Sequence, residues 1–320
     1  MANGGIIGPV VEPTLSSTNG GDKITSFTAS GTFNVSLNNG PKAVDYLVVG
    51  GGGGAQAGNL ANDNVVGAGG GGGGGYRTSF PGGSSLTIPG STPVTVGGAD
   101  SNSVFGPITA ARGGYGGGCT TSSGGANGQP GGSGGGAGKY LYGSKPESSG
   151  NTPPVSPPQG NNGGGSDANG EPGPGTNSFA AGGGGAGAVG QSVTWAPGNS
   201  VAGNGGAGTA NSITGASVTY SGGGGGAAGN SQTGPFFFGS GGSGGGADGS
   251  RVGNPGTDGL GGGAGGGAGT TPPAGPPAYA NKVGGSGIVV TREPDSVYVS
   301  SGVWSMDDVV FYRKASTWAD

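Results

Sequence analysis

Hydrophobic residues in this chain come in short, widely separated runs. The first clear run, 24–29, passes through Gly31 into 32–37, where Phe33, Val35 and Leu37 alternate with polar residues. A two-residue period of this kind marks a strand with one buried face. Asn38-Asn39-Gly40-Pro41 predicts a turn, and 44–49 (Val-Asp-Tyr-Leu-Val-Val) predicts a central, largely buried strand. Further strands are predicted at 85–88, 93–96, 104–110, 213–221 and 286–292. Those at 44–49, 104–110 and 213–221 each run into a glycine tract, at unequal spacings that exclude a fixed-period solenoid. Near the C-terminus, 303–318 predicts a short helix. Ser305 is its N-cap, Asp307 and Asp308 suit the first turn, and Arg313 and Lys314 suit the last.

Between these runs lies glycine. The chain has 91 glycines and 23 prolines in 320 residues, a composition that ordinarily signals disorder. Collagen is excluded, because tracts such as 50–54 and 69–75 have no Gly-X-Y register. A plain linker is excluded by the interspersed strands. Ordering glycine costs backbone entropy of about 1–2 kcal/mol per residue, with no side chain to bury in return. The compensation has to come from the main chain. Extended helices with three residues per turn make no internal hydrogen bonds, so side-chain-free copies can approach and bond to one another. On this reading residues 67–75 span roughly 28 Å at ~3.1 Å per residue. Alanines at 55, 57, 68, 186, 188 and 264 are expected at the surface of such a bundle.

Composition also narrows function. There is no histidine, one cysteine (Cys119) and few charges, 11 basic against 15 acidic. The side chain best suited to proton transfer and metal ligation near neutrality is missing, so the sequence reads as a non-enzyme without cofactor. Nucleic acid is not an expected partner at net charge −4 with scattered basic residues. No apolar run approaches a membrane span, and Met1-Ala2-Asn3-Gly4 does not begin a secretory signal. Lys139 after Gly138 fails as a phosphate loop, since Tyr140 follows it. Asp248 and Asp258, each before a glycine, read as turn residues and not as a calcium repeat, and Asp167 and Glu171 are too few for a cation cage.

The order Gly31-Thr32-Phe33, then Val44-Asp45-Tyr46-Leu47-Val48-Val49 into glycines 50–54, then Gly74-Gly75-Tyr76-Arg77, then Gly285-Ser286-Gly287-Ile288-Val289-Val290-Thr291-Arg292, resembles the glycine-rich domain of phage tail and fibre proteins. The flanking Gly5-Ile6-Ile7-Gly8-Pro9 and Ser301-Gly302-Val303-Trp304-Ser305 are similar to the variant found in phages of marine bacteria and cyanobacteria. The resemblance implies a mainly β and irregular fold: a short-strand, sandwich-like part beside a polyglycine-II helix bundle, with a short C-terminal helix. It also implies a virion location, non-covalent attachment, and recognition through loops at the bundle's end.

Three regions follow: an attachment arm at 1–22, a glycine-rich domain at 23–293 closed by strand 286–292, and a tail at 294–320. Aromatic residues in non-glycine inserts, Tyr140, Tyr142, Trp195, Phe236, Phe237 and Phe238, are the candidate receptor or partner contacts. They fall in or beside display segments around 139–159, 191–201, 230–239 and 270–282. Ile6, Ile7, Trp304, Phe311, Tyr312 and Trp318 are the candidate assembly contacts. Expected partners are other virion proteins, further copies of the chain (a trimer is one arrangement), and a host-surface glycan or protein. A capsid decoration or head-fibre protein, or a cellular glycine-rich structural or ice-binding protein, would share the same features.

Overall fold

A computed structural model describes residues 14–19, 21–35, 41–56, 67–118, 126–138, 144–166, 178–193, 201–229, 237–268 and 282–294. Among these the chain is built of short strands in antiparallel sheets, with no helix. Strands β1 (Thr14–Asn19), β2 (Asp22–Phe27), β14 (Ile288–Glu293), β4 (Lys42–Val49) and β5 (Tyr76–Thr78) form one sheet in that order, and β6 (Leu86–Ile88) pairs with the start of β4. A second sheet runs β3 (Gly31–Phe33), β7 (Thr92–Thr95), β8 (Ser103–Phe105), β9 (Ile108–Ala110). Two small pairs complete the set: β10 (Ser178–Phe179) with β13 (Ala228–Gly229), and β11 (Thr209–Asn211) with β12 (Val218–Tyr220).

The alternation along β4 sorts its side chains onto two faces, as the period of a strand requires. Val44, Tyr46 and Val48 join Phe27, Phe33, Ile88, Val94, Phe105 and Val289 in one buried cluster between the two large sheets. Leu47 and Val49 join Ile24, Ile288 and Val290 in a second, covered by Ile213 and Tyr220 of the β11–β12 hairpin region. Phe33 stands edge-on to both Phe27 and Phe105, with ring centroids 6.4 and 5.6 Å away. Each fully buried side chain of this size contributes about 1.5–3 kcal/mol, so the sandwich carries the oily part of the fold. At the outer end of the sheet, Arg292 pairs with Asp22 at 2.6 Å and lies 4.7 Å over the Phe80 ring.

Several sequence expectations need adjustment. The predicted strand 104–110 is two strands around Gly106-Pro107, where Gly106 sits at φ 54° in the first position of a two-residue hairpin loop. In 213–221 only Val218–Tyr220 is strand, and Ile213 is instead a buried plug. The strand expected at 32–37 is observed at Gly31–Phe33; Asn34 and Val35 are not strand, although Val35 is buried, and 36–37 lie outside the described residues. Within the expected arm, Thr14–Asn19 is a strand of the main sheet. The remainder of the arm, and the helix expected at 303–318, lie outside the described residues.

Strands β4 and β9 run directly into glycine tracts, while β5 and β14 emerge directly from them. In the interior of the stack the tracts bond with a three-residue period. The N–H groups of Gly69, Gly72 and Gly75 donate to Gly117, Gly114 and Ala111. Those of Gly70 and Gly73 donate to Ala181 and Gly184, and those of Gly71 and Gly74 to Ala264 and Gly261, all seven at 2.6–3.0 Å. Carbonyls on the same tract accept from Gly50 and Gly53, from Ser133 and Gly136, and from Gly224 and Ala227. Residues 67–75 are thus buried among six neighbouring segments. Tract 222–227 repeats the arrangement: it donates to Gly244, Gly206, Gly71, Ala247, Gly203 and Ala68, and accepts from six further residues. A β-ladder, with its period of two, reaches only two neighbours and cannot give this pattern.

Such contact requires glycine. A Cβ at any of Gly69 to Gly75 would fall under 3.0 Å from an oxygen of a neighbouring segment, for example Gly53 O at Gly71 and Gly50 O at Gly74. Alanine is accommodated inside the stack as well as near its surface. Ala55, Ala68 and Ala264 are 2%, 0% and 0% exposed, while Ala186 and Ala188 are half-buried and Ala57 lies outside the described residues. Some alanine methyl groups meet one another and an aromatic ring, as in the cluster of Ala137, Ala181, Ala202 and Ala228 with Phe179 and Val193. We expect Gly71→Ala to cost about 2–5 kcal/mol through overpacking and broken main-chain bonds. Gly98→Ala, where a Cβ meets nothing within 4 Å, should stay within about 0.5 kcal/mol. Parallel thermal denaturation of the two variants checks the contrast.

Candidate functional site

Followed along the chain, the tracts alternate in direction. Residues 50–56 lead away from the sandwich and 67–75 return, antiparallel to one another through Gly50–Gly75 and Gly53–Gly72 bonds. Tracts 111–118 and 131–138 both lead away again, each antiparallel to 67–75, and 126–129 returns between them, with Ala126 and Gln129 N–H donating to Gly118 and Tyr115 carbonyls. At the end away from the sandwich, Gly67 is bridged to Ala268, Ala55 to Gly116 and Lys282, Lys145 to Ser166, and Ser166 to Val193. Ser178 pairs there with Gly229, and Ala202 N–H donates to Phe237 O. The residues flanking seven chain segments, 57–66, 119–125, 139–143, 167–177, 194–200, 230–236 and 269–281, therefore gather at one end. The segments themselves are outside the described residues.

Of the candidate contact residues, Phe237 and Phe238 are described, and they divide the work. Phe238 is partly buried against Phe179, Ala227 and Ala268, closing the end of the stack. Phe237 is 46% exposed, beside Val201 at 46%. Tyr140, Tyr142, Trp195 and Phe236 lie outside the described residues, as do Ile6, Ile7, Trp304, Phe311, Tyr312 and Trp318. The display segment 139–159 does not act as one unit. Its proline-rich part, with Pro153, Pro154, Pro157 and Pro158 exposed, sits at the sandwich end, because Tyr76 N–H donates to Gln159 O. Asn151 Oδ1 accepts from Val155 and Gln159 N–H and so folds this loop on itself. The related segment 271–277 is outside the described residues.

The polar residues scattered through the glycine have a role that sequence reading missed: they terminate the stack. Where a tract lacks a neighbour, a side-chain oxygen accepts the N–H that would otherwise be unmatched. Asp100 Oδ1 accepts from Gly54, Asn102 Oδ1 from Arg112, Asp248 Oδ1 from Gly241 and Asp258 Oδ1 from Ser286, at 2.7–2.8 Å. Gln159, 1% exposed, accepts from Ala111 N–H and donates to Pro153 O. The two aspartates weighed for calcium are thus engaged with main-chain donors. No group of three or more metal-ligating side chains occurs among the described residues. None of their helices could cross a membrane, there being none. The signal that could have found these caps is an isolated acceptor side chain within or beside a glycine tract.

Titratable groups follow burial. Tyr76 and Tyr220 are pushed above their ordinary value of 10.0 mainly by desolvation, with the Asn211 hydrogen bond opposing the shift at Tyr76. Tyr115 is raised by burial and by the neighbouring Asp100 carboxylate, against the pull of Arg112, whose guanidinium lies 5.2 Å over its ring. No protein-family model, curated protein or solved structure proved similar to this chain.

The tyrosine shifts set a pH dependence. Unfolded tyrosines release their protons around pH 10, while the folded Tyr76 and Tyr220 hold theirs to higher pH. The unfolded state therefore binds fewer protons above pH 10, so stability is full below that pH and falls beyond it. Urea denaturation from pH 8 to 11 should show this decline, and Tyr76→Phe with Tyr220→Phe should flatten it.

Proposed function

We propose that this chain is a structural and recognition protein of a phage particle, a tail fibre or tail-associated adhesin, in which the glycine tracts form a polyglycine-II bundle. The three-residue period of the tract bonds supports the bundle, since an extended helix with three residues per turn sends successive N–H groups in three directions. The observation that carries the functional reading is the gathering of tract ends. The described residues that flank seven glycine-poorer segments gather at one end of a stack whose interior has few side chains larger than a methyl group. A stack of this kind fixes the points at which the chain leaves and re-enters it, and fixing those points lowers the entropy lost on binding. The sandwich end, where both termini of the described domain lie, is the side for attachment to other virion proteins or to further copies of the chain. Recognition is non-covalent, and the contacted host molecule is a surface glycan or protein.

Immunogold labelling of purified particles should place the chain on the tail. Label on the capsid would instead favour the decoration or head-fibre reading, and particles without label would overturn both. In a second test, residues 230–236 are replaced by Gly-Ser-Gly. Adsorption should slow by about tenfold, the effect of losing roughly 1.4 kcal/mol of binding. The melting temperature should move by no more than about 4 °C.

A further inference from the structure

Three of the five large hydrophobic side chains exposed among the described residues fall on one broad flank of the stack. Tract 201–208 runs along its middle. On one side Ala202, Gly205 and Gly208 N–H donate to the Phe237, Ser240 and Ser243 carbonyls, at 2.8–3.1 Å. On the other, Gln191 N–H donates to Asn204 O, and Gly187 and Ala188 N–H to Ala207 O, at 2.9–3.0 Å. Behind it, Gly203 and Gly206 N–H donate to Ala180 and Gly183, while their own carbonyls accept from Gly226 and Gly223. The fourth side is open. Val189, Val201 and Phe237 are 59%, 46% and 46% exposed there, and Ala207 is exposed as well.

The flank is also free of charge. No Asp, Glu, Lys or Arg occurs from 172 to 247, a stretch that includes all three of its tracts. The opposite flank, beyond tract 67–75, carries Arg112 and Lys282 with Asp100 beside them. On the charge-free flank the larger polar side chains are already engaged. Asn204 Oδ1 accepts from Ser240 N–H at 2.8 Å, and Gln191 Oε1 from Asn204 N–H at 3.4 Å. An exposed patch that is apolar and depleted of charge has the character of an interface core. An ionic partner finds no counter-charge on it.

We propose that this flank is the contact between two copies of the chain, packed face to face about a two-fold axis. Outward positions on a tract recur every three residues, so they stand in rows about 9 Å apart, three steps of ~3.1 Å. Val201, Asn204 and Ala207 occupy them on the central tract, with Phe237, Ser240 and Ser243 alongside. A surface of that spacing meshes with another of the same spacing, row into groove, and a second copy carries it by construction. A two-fold contact also sets each patch against itself, so any charge on it would meet its like; this flank holds none. Three tracts about 25 Å long and about 5 Å apart offer roughly 375 Å² per copy, against ~800 Å² in a standard interface. The pairing is therefore weak and reversible, half complete near ~0.1 mM, a strength suited to chains already held side by side in a larger assembly. It stands apart from the attachment reading above and adds a lateral contact to the one at the sandwich end.

Sedimentation velocity of the full chain from about 5 µM to about 500 µM should show a monomer–dimer equilibrium with its midpoint near ~0.1 mM. Over the same range, the ¹⁵N amide signals that move with concentration should be those of 187–192, 201–208 and 237–243. Val189→Asp and Ala207→Asp place like charges on both faces of the contact. Each should raise the dissociation constant at least about tenfold, with the melting temperature unmoved. Val283→Asp, which charges a residue 54% exposed on the opposite flank, should leave the constant unchanged. Should an aspartate variant fail to fold, the amide map of the unaltered chain still decides. A chain that stays monomeric at the highest concentration overturns the proposal and leaves the flank to a different partner. Association whose shifts lie elsewhere, or that both aspartate variants leave intact, overturns it equally. The immunogold position on the particle bears on the attachment reading alone.

Discussion

The hydrogen bond between two main chains at glycine contact distance is the interaction on which the rest depends. One such bond is worth about 0.5–1.5 kcal/mol net, close to the 1–2 kcal/mol needed to order the residue that makes it. A tract on its own therefore has nothing to gain by straightening. What tips the balance is the cost of leaving a buried N–H or carbonyl unmatched once its neighbours are in place. That makes the stack cooperative: residues 67–75 cannot be ordered without 50–56, 111–118 and the others around them.

Cooperativity raises a question of register that the tracts cannot answer alone. With a three-residue period, sliding one tract by a single residue turns each N–H toward a different neighbour, and glycine offers no side chain to penalise the slip. The sandwich supplies the missing constraint. Val49 is buried in the sheet one residue before Gly50, Tyr76 follows Gly75, Ala110 precedes the tract of 111–118, and Ile288 follows Gly287. Side-chain packing fixes these strands, because a one-residue slip in a two-faced sheet moves its hydrophobic set to the wrong side. Four tracts inherit a fixed height in this way. A second tie comes from the β11–β12 hairpin: Asn211 Nδ2 donates to Tyr76 Oη and Phe80 O, while Ile213 and Tyr220 pack on the outer face of the sheet just before tract 221–228 begins.

What could be read from the sequence follows from this division. Strands with buried side chains announce themselves, so 44–49, 93–96 and 286–292 correspond closely to β4, β7 and β14. Gly106-Pro107 carried its own turn signal, yet the apolar residues on both sides masked it as one strand. β5 was missed because three residues, Tyr76 to Thr78, are too few to show a period, and β1 because Thr14–Asn19 is mostly hydroxyl and amide. The pairing of tracts left no trace at all: a period of three in hydrogen bonding leaves no mark on a run of identical residues. Alanine misled for a related reason. A methyl group is excluded from most positions in the stack, but where two or three converge on Phe179 or Phe238 they make a small core of their own. At the candidate site, sequence marked the aromatic pair Phe237 and Phe238 but could not tell that one would be turned in and the other out.

The same geometry limits where chemistry can reside. An interior built on glycine contact admits little beyond an occasional methyl or hydroxymethyl group, which leaves no room for a ligand. The lateral edges are partly committed, because residues such as Asp100, Asn102, Asp248 and Asp258 spend their oxygens on main-chain donors. The sandwich end is occupied by strands entering and leaving the stack. The opposite end is bounded by segments whose composition the stack does not dictate, provided that their first and last residues stay in register. Substitution there changes the surface offered at that end without touching what holds it up. Substitution of an interior glycine does the reverse, removing support from every segment at once. A protein made this way can vary its contacts quickly and its scaffold hardly at all, a direct consequence of having placed its stability in atoms that all amino acids share.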